Sequence, residues 1–146
     1  MNAHHLIFVY GTLKRNERYH RLIRSSRFIT TATTAPRYRL YDSGLYPCLV
    51  HDPAGVSVVG EIFRIEAAKL SLIDDLENVP FDFVRESIDL NDFPERVEAY
   101  FYQHEVSCYP ECGTEWSSRS RKAYLSNLIE VAPLLPCPNS FRRPKK

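Results

Sequence analysis

Leu6-Ile7-Phe8-Val9-Tyr10-Gly11-Thr12-Leu13-Lys14-Arg15 sets the reading of this chain. Leu6 to Tyr10 is an unbroken run of apolar, β-branched and aromatic residues, which predicts a buried first strand. Gly11 ends the strand. Without a Cβ the chain can turn sharply there, and the N–H groups of Gly11, Thr12 and Leu13 can form a cradle for an anion.

Outward from that stretch, short strand signals dominate. Asn16 is placed to cap a short helix through Arg24, with Tyr19, Leu22 and Ile23 on one face. Thr30–Thr34 and Arg37–Tyr41 read as strands, with Pro36 as a break or edge between them. Asp42-Ser43-Gly44 signals a turn before the short strand Cys48–Val50. Asp52-Pro53-Ala54-Gly55 signals another turn, before a long strand over Val56–Ile65. Gly60 lies inside that strand, where a glycine marks a bulge or a close backbone approach. Leu70, Ile73 and Leu76 repeat at helical spacing and predict a helix over Ala67–Leu76, ended by Asn78 and Pro80. Phe83–Leu90 and Val97–Tyr102 read as strands, Ser107–Ser118 as a loop and Ser120–Ile129 as a terminal helix. Many closely spaced strands with few helices predict an α+β fold, a small mixed β barrel, closed or partly closed, with a few flanking helices.

The chain has 146 residues, the length of one domain able to bury a core. We read residues 1–130 as that domain. Residues 131–146 form a Pro-rich basic tail, expected to be extended or disordered. A formal charge of +1 provides no field to draw the protein to nucleic acid or membrane. No run approaches the roughly eighteen apolar residues of a membrane span. The start of the chain lacks the basic, apolar and cleavage regions of a secretory signal, so a cytoplasmic location is the default expectation. Of four cysteines, Cys48, Cys108, Cys112 and Cys137, free thiols are expected in such a compartment. His104, Cys108 and Cys112 have a spacing that suits a metal on a helix. Pro110 and Gly113 argue for a loop instead, and no fourth ligand is evident.

Three segments carry a functional signal: Val9-Tyr10-Gly11-Thr12-Leu13-Lys14-Arg15, Val59-Gly60-Glu61-Ile62-Phe63, and Asp74-Asp75-Leu76-Glu77 followed by Phe83-Val84-Arg85. In that order they resemble the γ-glutamylcyclotransferase-like (AIG2-like) family over roughly residues 6 to 105, and within it the γ-glutamylamine cyclotransferase branch. The resemblance implies a compact mixed barrel with a cavity at one end. It implies a cyclotransferase reaction, in which the α-amine of a γ-glutamyl amine or γ-glutamyl amino acid attacks its own γ-carbonyl. An amine leaves and 5-oxoproline forms, with no metal or organic cofactor. Glu77 matches the family's catalytic Glu.

That chemistry needs a base for the attacking amine and an acid for the leaving amine, roles that one carboxyl can fill in turn. Apolar walls around such a carboxyl favour its acid form. Glu77 also stands at the negative end of a predicted helix, against the local dipole, as a functional charge can. By the same resemblance, Tyr10, Gly11, Thr12 and Leu13 are expected at the substrate, and Tyr46 with Pro47 is either a pocket wall or an ordinary turn. Arg85 is either a substrate ligand or an ion-pair partner. Asp74 and Asp75 read as solvated, one of them available to Arg85. One departure is Phe83, where the family often has Tyr. Either Tyr100 or Tyr102 supplies the hydroxyl from the last strand, or turnover or substrate choice differs. The alternative to an enzyme is a non-catalytic small-molecule binding module on the same fold.

Overall fold

A computed structural model describes residues 3–118. Five strands form one mixed sheet. They are β1 (His4–Val9), β2 (Arg27–Thr33), β5 (Val59–Glu66), β6 (Phe83–Ser87) and β7 (Glu98–Tyr102), in the order β2-β5-β1-β7-β6. All neighbours are antiparallel except β1 and β7, which run parallel. β3 (Tyr38–Asp42) and β4 (Pro47–His51) make a separate antiparallel ribbon.

β1 lies in the middle of the sheet, which accounts for its apolar run: Ile7, Phe8 and Val9 are all buried. Alternation then sorts the side chains between two cores. Ile7, Val9, Phe63, Ile65 and Tyr102 face the helix α1 (Ala67–Leu76) and pack with its Leu70 and Ile73. Phe8, Tyr10, Ile62 and Phe101 face the ribbon and pack with its Leu40 and Leu49.

The α+β class agrees with the expectation, but the sheet does not close into a barrel. Its edges approach only through a single bridge, Thr34 to Leu90, with Ala35 N–H donating to Asp89 O and Asn91 N–H to Thr33 O. β6 ends at Ser87, short of the expected Leu90, and Asp92 turns the chain with φ 56°. The expected strand Val56–Ile65 likewise begins only at Val59, because Val56 bridges Tyr38 of the ribbon instead.

The expected helix from Asn16 to Arg24 is absent. Asn16 is left-handed (φ 72°), a turn conformation and not a cap, and only His20–Leu22 forms a 3₁₀ turn. Cys48 and Cys112 are free thiols, as expected, whereas Cys108 is disulfide-bonded. No three His, Cys, Asp or Glu side chains converge as a metal site among the described residues. No helix there is long and apolar enough to cross a membrane. The expected helix Ser120–Ile129 and the tail 131–146 lie outside the described residues.

Gly60 marks a close approach. A Cβ there would lie 2.5 Å from Cζ of Phe8 and 2.6 Å from the Val9 carbonyl oxygen, inside the central pairing of β1 with β5. Gly60→Ala is therefore expected to destabilise the fold by about 1–3 kcal/mol through overpacking. Urea unfolding measures this, and an unchanged midpoint would count against the packing described.

Candidate active site

α1 begins directly after β5 and returns along the sheet. Ten residues of helix span ~15 Å, the length of four to five strand residues at ~3.3 Å each. Counting back that far from Glu66 reaches Glu61, the register partner of Val9 at the end of β1. The helix therefore stops level with the turn that follows β1.

Its end is a Schellman closure. Asn78 is left-handed (φ 55°) and its N–H donates to Asp75 O, while Val79 N–H donates to Asp74 O, both at 3.0 Å. Glu77 is the C-cap residue, with its N–H on Ile73 O, and it is only 8 % exposed. A buried carboxyl at the negative end of a helix stands in an unfavourable field.

Opposite Glu77 lies the turn after β1. Its three carbonyls are pinned inward. Lys14 N–H donates to Gly11 O (3.0 Å), Tyr19 N–H to Thr12 O (2.8 Å) and His20 Nδ1–H to Leu13 O (2.9 Å). The two basic residues that follow fasten the turn from either side. Buried Lys14 donates its Nζ to Trp116 O at 2.5 Å, and Arg15 holds Glu61 through both its backbone N–H and its Nε. The N–H groups of Gly11, Thr12 and Leu13 donate to no protein acceptor among the described residues. A Cβ on Gly11 would strike the ring of Pro47, so glycine is needed there for packing.

Between the two lies a small pocket that opens to solvent. Seven of the eight residues expected at the site line it: Tyr10, Gly11, Thr12, Leu13, Tyr46, Glu77 and Tyr100. Val9, Pro47 and Phe83 complete the wall. Tyr46 is held by the β3–β4 turn, where Ser43 Oγ donates to Tyr46 O (2.9 Å), and its ring meets Phe83 at 5.7 Å.

Arg85 does not line the pocket. It stands behind the wall, 3.4 Å from Asp74 and 3.7 Å from Glu98, which resolves it as an ion-pair partner. Asp74 is not merely solvated: it accepts the Tyr100 hydroxyl at 2.6 Å. This link has no sequence signal of its own, because it depends on the β6–β7 register that places Arg85 opposite Tyr100. Of the two candidates to replace the family Tyr, Tyr100 lines the pocket, whereas Tyr102 is hydrogen-bonded to Tyr109.

The site thus has two chemical sides. The turn amides are donors. Glu77 brings carboxyl oxygens. The hydroxyl protons of Tyr10 and Tyr100 are already given away, to Tyr100 O and to Asp74, both at 2.6 Å. Phe83 has no hydroxyl to give.

Residues 7–118 match the family described as gamma-glutamyl cyclotransferase, AIG2-like. A Vibrio cholerae protein, provisionally named a gamma-glutamylcyclotransferase, is 34 % identical over 115 residues, 79 % of this chain and 97 % of that one. The human gamma-glutamylaminecyclotransferase is 37 % identical over 83 residues, 51 % of this chain and 54 % of its own length. The crystal structure of an AIG2-like protein from Mus musculus superposes with a TM-score of 0.68 at 26 % identity, covering 80 % of this chain and 89 % of that one. The chain belongs to the γ-glutamylcyclotransferase, AIG2-like family.

Burial raises the hydroxyl pKa of Tyr10, Tyr46 and Tyr100 above the ordinary value of 10.0. The negative charge of Glu77 adds to the rise at Tyr10, and the hydrogen bond to Asp74 at Tyr100. Because the folded values are raised, their contribution to stability is complete below about pH 10 and is lost as pH climbs toward the folded values. Alkaline titration is expected to release their tyrosinate absorbance together with loss of circular dichroism. Ionisation of all three tyrosines in a still-folded protein would contradict the burial described.

Proposed function

We propose that the protein is a cyclotransferase that converts a γ-glutamyl amide to 5-oxoproline and a free amine, with Glu77 as base and then acid. The observation that carries this reading is the pairing, across one pocket, of a buried carboxyl with three turn amides that have no protein acceptor among the described residues. Membership of the family supports it.

In this mechanism Glu77 takes a proton from the substrate's α-amine as the nitrogen attacks the γ-carbonyl carbon. A new C–N bond closes the five-membered ring, and the carbonyl oxygen takes up negative charge. The N–H groups of Gly11, Thr12 and Leu13 stabilise that oxygen. Glu77 then returns the proton to the departing nitrogen, the old C–N bond breaks, and lactam and amine separate. The proton lost by one nitrogen is the one gained by the other. Walls from Tyr10, Tyr46 and Phe83 hold the folded-back conformer, and such positioning can supply about 7–11 kcal/mol of the barrier. The leaving amine projects from the mouth, where loops set specificity.

A 5-oxoproline assay over a panel of γ-glutamyl amines and γ-glutamyl dipeptides tests this directly. Product is expected from the wild type, with Glu77→Gln slower by about 10²–10⁴-fold and still folded by circular dichroism. Full activity in Glu77→Gln would refute the assigned role. A folded wild type that binds γ-glutamyl compounds without forming product would be the binding module.

A further inference from the structure

Behind the pocket wall runs a chain of charged groups that the cyclisation does not consume. Arg96 holds Glu98 (3.3 Å), Glu98 flanks Arg85 (3.7 Å), Arg85 flanks Asp74 (3.4 Å), and Asp74 takes the Tyr100 hydroxyl proton (2.6 Å). Only Tyr100 of this chain reaches the pocket, and it is 2 % exposed. Arg85 and Tyr100 are direct cross-strand partners on β6 and β7, so their side chains share a face of the sheet. Arg85 Nη2 pairs with Asp74 Oδ2 at 3.4 Å, and its Nε and Nη1 are buried with no hydrogen-bond partner among the described residues. The guanidinium therefore stands beside the same Asp74 side chain that accepts from Tyr100.

A tyrosine hydroxyl has one proton and two lone pairs. Once the proton is committed to Asp74, the oxygen can only accept. Tyr10 is in the same state, its proton held by Tyr100 O, and Phe83 offers neither donor nor acceptor. We propose that Asp74, held by Arg85, is a positioning residue that keeps Tyr100 an acceptor, so that Tyr100 selects ligands bearing a free α-amino group. This rests on the cyclotransferase reading for its choice of ligand. A donor-rich wall would favour a carbonyl or carboxylate in that place. An acceptor wall favours the N–H groups of an amine, and orients it toward Glu77. In chains with Tyr in place of Phe83, a second hydroxyl is present; here the selection falls to Tyr100.

The test uses two ligands that differ only in the α-amino group, γ-glutamyl-n-butylamide and the n-butylamide of glutaric acid. Their affinities are measured by calorimetry in the Glu77→Gln background, where turnover is suppressed. The preference for the amine-bearing ligand is expected to fall about tenfold or more in Asp74→Ala. It should fall as far in Tyr100→Phe, and no further in the double variant, because Asp74 acts through Tyr100. A purely structural Asp74 would instead weaken both ligands equally, or add its loss to that of Tyr100→Phe, and either result overturns the proposal. Should Asp74→Ala not fold, Tyr100→Phe decides alone: an undiminished preference overturns the proposal. A wild type with the amine preference but no 5-oxoproline product would refute the cyclotransferase reading and leave the positioning role standing. A wild type that binds neither ligand would overturn both.

Discussion

The hydrogen bond from Val79 N–H to Asp74 O, which closes α1, fixes the geometry on which the site depends. It stops the helix where its length has just brought it level with the end of β1. The left-handed Asn78 makes the closure possible, and the residue left at the cap is Glu77. One more turn of helix would carry the carboxyl past the pocket, and one fewer would leave it over the core of Leu70 and Ile73. The same bond takes the carbonyl of Asp74, whose side chain serves Tyr100, so the helix end sets two groups of the pocket at once.

The second constraint is the turn after β1. Backbone amides serve as anion donors only when their carbonyl partners are turned away and held. Here Lys14, Tyr19 and His20 hold all three carbonyls of Gly11, Thr12 and Leu13. The Lys-Arg pair after the turn is structural. Lys14 is buried against Trp116, and Arg15 pairs with Glu61 and stacks on Phe28 at 3.9 Å. Both cations are spent on holding the turn in place.

Electrostatics divides the pocket. Donors come from one strand end, and acceptors come from the helix end and the tyrosines of the opposite wall. The open sheet permits this because β1 is central, so its C-terminal end is reached both by α1 on one face and by the β3–β4 ribbon on the other. A site formed where two cores meet can take an apolar wall from each, as Tyr10 and Phe83 illustrate.

The sequence by itself determined the strand at Leu6–Tyr10, the helix Ala67–Leu76 with its stop at Asn78, a bulge or close approach at Gly60, and the resemblance that singles out Tyr10–Leu13 and Glu77. The structural readings among these rest on local preference: apolar runs, helical periodicity, and residue types that tolerate a left-handed or crowded backbone. Tertiary structure alone decided the rest. Asn16 reads as a helix cap by type, but it is left-handed, and the N–H groups of His20, Leu22 and Ile23 bond three residues back, to Glu17, Tyr19 and His20, so the segment remains a series of turns. Closure of the sheet depends on whether distant edges pair over their length, and here they meet at one bridge. Asp74, Arg85 and Tyr100 are separated by up to 26 positions. Strand register sets Arg85 beside Tyr100, and the packing of α1 on the sheet brings Asp74 to both; each is a long-range property that no local pattern in a single chain encodes.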